Sequence, residues 1–149
     1  MSEQRSSDEI DTIAYAVSYQ QAAELIADST DWTDNHGLIV PFFALVGFAL
    51  ENGLKAVLEH RNIDRSLNWF HSHDLVKLRE LVRKEGLFFL PNIDALIDEM
   101  AVHHKNHHFR YPQKAGVAEL QKPPTVALLT DAALRMVFDF IDGHSRIDH

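Results

Sequence analysis

No cysteine occurs among the 149 residues, and that single absence removes disulfides, thiol nucleophiles and thiolate metal ligands together. Residues 1–8 are polar and carry no apolar core of a signal peptide, so a cytoplasmic location is expected. The one long uncharged run, Gly37 to Leu50, has 14 residues. A membrane-spanning helix needs about 20, so the run is expected to be a buried core helix and no membrane partner is expected. Positive charge is not in surplus: 14 Lys and Arg stand against 22 Asp and Glu, a formal net charge of −8. Global electrostatics therefore gives no pull toward nucleic acid. There is no internal repeat, no low-complexity tract, and no P-loop, dinucleotide-binding or nucleophile-elbow glycine motif.

What is present is a chain with 46% hydrophobic residues, enough for one domain over 1–149 with a real core. Its acidity is concentrated at one end. Residues 1–34 hold eight acids and one base, a balance of −7, which reads as a solvated flank or as a face for a basic protein partner. Residues 55–84, by contrast, hold seven bases and four acids.

Apolar spacing predicts helices throughout and no convincing strand. The acidic first helix is expected over about 8–28, with Ile10, Ile13, Ala14, Ala16, Val17, Tyr19, Ala23, Leu25 and Ile26 as its apolar set. A turn-rich loop follows, and a second helix runs from near Gly37 to about His60, with Pro41 in its first turn. Residues 61–73 form a connector, and His73-Asp74-Leu75 opens a third helix that Gly86 stops. Leu87 to Leu90 reads as an extended segment or a buried turn. A fourth helix from Pro91 fades near Lys105, residues 109–124 are an irregular loop, and a fifth helix from about Thr125 ends at Gly143. The expected architecture is all-α, a four- to five-helix up-and-down bundle, with a core over about 37–141 and a frayed tail over 142–149.

Several residues in this pattern can carry chemistry. Glu51 and Lys55 stand four apart on the most apolar helix, acid first, so their heads lie side by side and partly desolvated; a plain surface ion pair is the competing reading. Asp74 is suited to capping the third helix, and His73 meets the positive end of that helix, which favours a neutral imidazole. His103, His104, His107 and His108 form two interleaved pairs at metal-ligand spacing. With no glutamate after either first histidine and no cysteine, they are weak metal candidates on a solvated helix end, and no cofactor is expected. Arg110 offers a planar fork for a carboxylate or phosphate, and Tyr111-Pro112 ends the helix. Arg61 and Arg65 with Trp69 and Phe70 make either a basic base-stacking patch or an apolar loop anchor with exposed arginines.

Taken in order, the run Ala49 to Leu58 with its E-x-x-L-K pattern at Glu51 to Lys55, then His73-Asp74-Leu75, then Arg110-Tyr111-Pro112, resembles the HEPN superfamily over about residues 37–112. The resemblance implies an all-α bundle, often a homodimer. It implies either a non-catalytic module that binds nucleotide, RNA or a protein partner in bacterial stress, defence or toxin–antitoxin settings, or a metal-independent endoribonuclease. Ribonuclease members carry an R-x(4–6)-H motif, whose forward match in this chain is Arg65 to His71, in the connector. Carried over by the resemblance as a polar cluster are Glu51, Lys55, His73, Asp74, Arg110 and Tyr111. For the non-catalytic module, which is the favoured reading, that cluster holds a phosphate-bearing ligand. For an enzyme, His73 or His71 is the candidate base and Arg110 or Arg65 the candidate cation.

Overall fold

The computed structural model describes residues 7–29, 38–104 and 122–147, with side chains over 11–29, 38–104 and 122–143. Among the described residues there are five α-helices and no strand: α1 (Ser7–Ser29), α2 (Ile39–His60), α3 (Leu75–Lys84), α4 (Pro91–His104) and α5 (Pro123–Ile147). They form an all-α bundle in which α2 packs against each of the other four. The long apolar run of the sequence thus becomes the central rod, with Phe42, Val46, Leu50, Leu54, Val57 and Leu58 buried along it. Each such side chain contributes roughly 1.5–3 kcal/mol when fully removed from water. With its full 22 residues, α2 is long and apolar enough to cross a membrane by length and composition, unlike the shorter uncharged run within it. Its second half, however, carries Glu51, Lys55 and Glu59, and its apolar surface is met inside the bundle.

The first helix keeps part of its expected face, with Ala16 and Ala23 buried and Ile13 and Ile26 packed against the core, and departs from it elsewhere. Its buried stripe is Thr12, Ala16, Gln20, Ala23 and Ala27, whereas Leu25 is 71% exposed and Ala14 faces solvent. Small side chains three and four apart let the helix come close to the bundle, and the polar members of the stripe donate to groups on neighbouring elements. Thr12 donates its hydroxyl to the Glu59 carboxylate at 3.1 Å, and Gln20 donates to the Ala127 carbonyl at 3.0 Å.

From the connector to α4, expectation and structure agree in kind. Asp74 caps α3, its carboxylate accepting from the Lys77 amide at 3.2 Å. Gly86 ends the helix region with φ of +103°, a conformation that a side chain would strain. Over residues 87–90 the chain is irregular and its side chains alternate: Leu87 and Phe89 are buried while Phe88 and Leu90 are exposed. Arg79, 5% exposed, then clamps α3 to α4 through Asp98 at 2.7 Å and the Asp94 carbonyl at 3.1 Å. That clamp ties the middle of α3 to the first half of α4. At the C-terminal end, Gly143 does not stop α5, which continues to Ile147. A glycine inside a helix costs only about 1 kcal/mol; it terminates one when the chain turns left-handed there, and among the described glycines Gly86 alone does so.

Candidate functional site

Three elements deliver polar side chains to one point beside the central rod. Glu51, on α2, is 5% exposed, and its carboxylate is fully engaged. Lys55, one turn later, donates to Oε2 at 2.9 Å. His73, just ahead of α3, meets Oε1 through Nδ1 at 2.8 Å, and His104, in the last turn of α4, meets the same oxygen through Nε2 at 2.8 Å. Burial on its own raises the pKa of the Glu51 carboxyl. The hydrogen bonds from His104, Lys55 and His73, together with the charge of Lys55, outweigh burial and lower it to about 2. The carboxylate is therefore ionised and can only accept, so each histidine presents a proton to it: Nδ1–H of His73 and Nε2–H of His104.

Local sequence explains each placement. His104 is completely buried and lies across the backbone of α2 at Gly47, one turn before Glu51. A Cβ at position 47 would collide with Nδ1 of the imidazole and stand 2.9 Å from its Cγ, so only glycine lets the ring reach the carboxylate. The Phe48 ring holds the imidazole edge to face at 5.0 Å between centroids. His73 is set by the α3 cap: Asp74 donates its amide to Ser72 Oγ at 3.1 Å while its side chain closes the first turn, and Leu75 is fully buried. Of the four, His73 is the one open to solvent, with 41% of its side chain exposed.

Glu51, Lys55 and His73 thus meet, and Asp74 serves beside them as a cap rather than as a member. Arg110 and Tyr111 lie outside the described residues, as do His107 and His108. His104 enters through a different set of partners from the i,i+4 pairing read from its spacing. The signal that points to it is periodic: Ile93, Ile97, Met100 and His104 continue one buried stripe of α4, and a histidine on such a stripe must find a polar partner in the core. His103, next to it, is only partly buried.

A second polar group forms in the connector. Asp64 caps a 3-10 turn at Arg65–Leu67, accepting from the Ser66 amide at 2.9 Å, and Asn68 reverses the chain with φ of 61°. Trp69 is 1% exposed and donates its indole N–H to the Asp64 carbonyl at 3.2 Å. Of the two readings of Trp69, stacking surface or apolar loop anchor, its burial favours the anchor. Arg61 faces elsewhere, paired with Glu85 at 3.2 Å. What the anchor holds up is Phe70, with the Arg65 guanidinium 3.9 Å above its ring centre and the His71 ring edge to face at 4.9 Å. Arg65, Asn68, Phe70 and His71 line an open cavity of about 340 Å³. Lys77 steadies it by donating to the Asn68 carbonyl at 3.3 Å.

No family model matches this chain, and comparison with curated proteins and with solved structures likewise finds no match.

Proposed function

We propose that this chain is a HEPN-like, non-catalytic helical module that binds a nucleotide or a short stretch of RNA at the connector cavity. The observation that supports the reading is the stack of Arg65 on Phe70 beside His71, in a cavity that is open and rimmed by an amide. A guanidinium held over an aromatic ring is a cationic platform of the kind on which bases stack and phosphates pair. Asn68 supplies donor and acceptor groups for a base edge. Lys55 plays no such part, because it is buried against Glu51; the cation that meets phosphate is Arg65. The acidic net charge keeps such binding local and sensitive to salt.

Thermal melting of the full chain with a panel of nucleotides and short RNAs tests the reading. Stabilisation by at least one of them, weakened by salt, is the expected result. Arg65→Ala should weaken that binding roughly fivefold to more than a hundredfold, the range of one lost stacking contact. No shift with any ligand, at concentrations that saturate a micromolar site, overturns it.

One observation favours a second reading, a metal-independent endoribonuclease. Arg65 and His71 have the R-x(4–6)-H spacing and share one cavity. His71 would take the proton of a ribose 2′-hydroxyl as that oxygen bonds to the adjacent phosphorus, and Arg65 would stabilise the charge gathering there. The P–O5′ bond would break with water protonating the leaving 5′-oxygen, leaving a 2′,3′-cyclic phosphate. Cleavage of RNA in chelator by the wild type, lost in the double variant Arg65→Ala and His71→Ala, would select this reading. Equal residual cleavage by both proteins would dismiss it.

A further inference from the structure

We infer that Glu51, His73 and His104 form a binding site for a divalent transition-metal ion of the zinc, cobalt or ferrous-iron class. The three ligating atoms, Oε1 of Glu51, Nδ1 of His73 and Nε2 of His104, all lie within 4.8 Å of one another. They come from α2, the lead-in to α3 and the end of α4, so the fold rather than local spacing brings them together. Two imidazoles and one carboxylate are the donor set that borderline metals prefer, and alkaline-earth ions do not.

The distances suit an ion with little rearrangement. Each nitrogen stands 2.8 Å from the shared oxygen. Metal bonds of about 2.0–2.2 Å to the three atoms need them only somewhat further apart, a side-chain adjustment. The rings must also carry their protons on the far nitrogens, Nε2 of His73 and Nδ1 of His104.

Support around the three atoms is that of a positioned site. Lys55 holds Oε2, which leaves Oε1 as a single directed ligand. Gly47 and Phe48 fix the His104 ring, and the Asp74 cap fixes the segment that carries His73. One side is open: His104 is wholly buried while His73 is 41% exposed on its side chain, so an ion enters past His73. Three protein ligands then leave a further coordination position facing that side. The charge of Lys55 opposes the ion and that of Glu51 attracts it, so the affinity rests chiefly on the two imidazoles.

Untagged full-length protein, stripped with chelator and titrated with cobalt(II) alone, tests the inference. The expected result is one equivalent bound, with the intense visible bands of a low-coordinate cobalt centre that zinc then bleaches. His73→Ala keeps the buried Glu51, Lys55 and His104 set and should weaken binding by at least about a hundredfold, since even supporting residues of metal sites are worth ten- to a hundredfold. His73→Gln replaces it if circular dichroism shows the alanine variant unfolded. A variant with His103, His107 and His108 all changed to alanine should bind as the wild type does. Absence of cobalt bands at millimolar metal, or bands that survive in the folded His73 variant, would overturn the site. So would loss confined to the triple variant.

Discussion

Around Glu51, side chains from α2, the lead-in to α3 and the end of α4 close on one carboxylate, and three of the four are nearly or wholly out of solvent. Between Arg65 and His71 a single contiguous stretch builds its own cavity, anchored by one buried tryptophan and, apart from the half-buried Phe70, exposed. Burial sets the energetics of the two. A buried charge network costs little only while every member is present, because each partner offsets the desolvation of the others. An exposed stack contributes little to folding whether it is present or not, and its groups stay available to a ligand. The first region is thus expected to dominate stability, and the second to dominate recognition of nucleotide or RNA.

The most direct way to break that contrast is Glu51→Ala. It leaves Lys55, a residue only 8% exposed, without its counter-charge. A loss of about 3–5 kcal/mol in urea unfolding is expected, the usual cost of halving a buried pair. A loss below about 1 kcal/mol would mean that water relieves the centre freely.

Acid titration sharpens the same point by a different route. The carboxyl of Glu51 lies below its ordinary value of 4.5, at about 2, so the folded state holds the proton less tightly than the unfolded one. Its contribution is therefore complete above the unfolded pKa and is lost as pH falls from that value through the folded one. The amount is roughly 3 kcal/mol. Unfolding midpoints of wild type and Glu51→Gln, followed downward in pH in the presence of chelator, should converge across that window. Parallel curves would show that the carboxylate is not held by its neighbours.

A smaller effect isolates the close approach that makes the centre possible. Gly47→Ala places a methyl group against the His104 ring and should cost about 1–3 kcal/mol by overpacking. In a His104→Ala background the methyl has room, so the penalty should largely vanish. A double-mutant cycle measures that coupling, and additive losses would contradict it.

The two regions also differ in how far the sequence discloses them. Helix type follows from apolar period, and the α3 start follows from Asp74 followed by Leu75, because capping and periodicity are local. Glu51 and Lys55 are legible as a pair for the same reason, being one turn apart. Their meeting with His73 and His104 is tertiary: it depends on Gly47 and on the Arg79 clamp between α3 and α4, and helical spacing carries no trace of either. Spacing pairs His104 with His108 instead, whereas its place on the Ile93, Ile97, Met100 stripe leads inward. The face of α1 escaped for a related reason, since alanines and two polar residues form the buried stripe while Leu25 lies outside it. In the connector the aromatic and basic residues stand out at once. Only burial separates Trp69, the anchor, from Phe70, the ring that carries Arg65.

The gentlest test is also the one that separates folding from recognition. Arg65 rests on Phe70 at 3.9 Å at the surface, and a cation–π contact of that kind is worth about 0.5–1 kcal/mol. Arg65→Ala should accordingly leave the unfolding midpoint almost where it was, because Trp69 keeps its burial and its indole hydrogen bonds to the Ile63 and Asp64 carbonyls. Any nucleotide-dependent stabilisation seen in the wild type should nevertheless fall away, since the platform and its charge are gone. Glu51→Gln should behave in the opposite sense, lowering the midpoint while a ligand still shifts it. If Arg65→Ala instead unfolded the protein as Glu51→Ala does, the connector would be a strut of the bundle. Its open cavity would then be a by-product of packing.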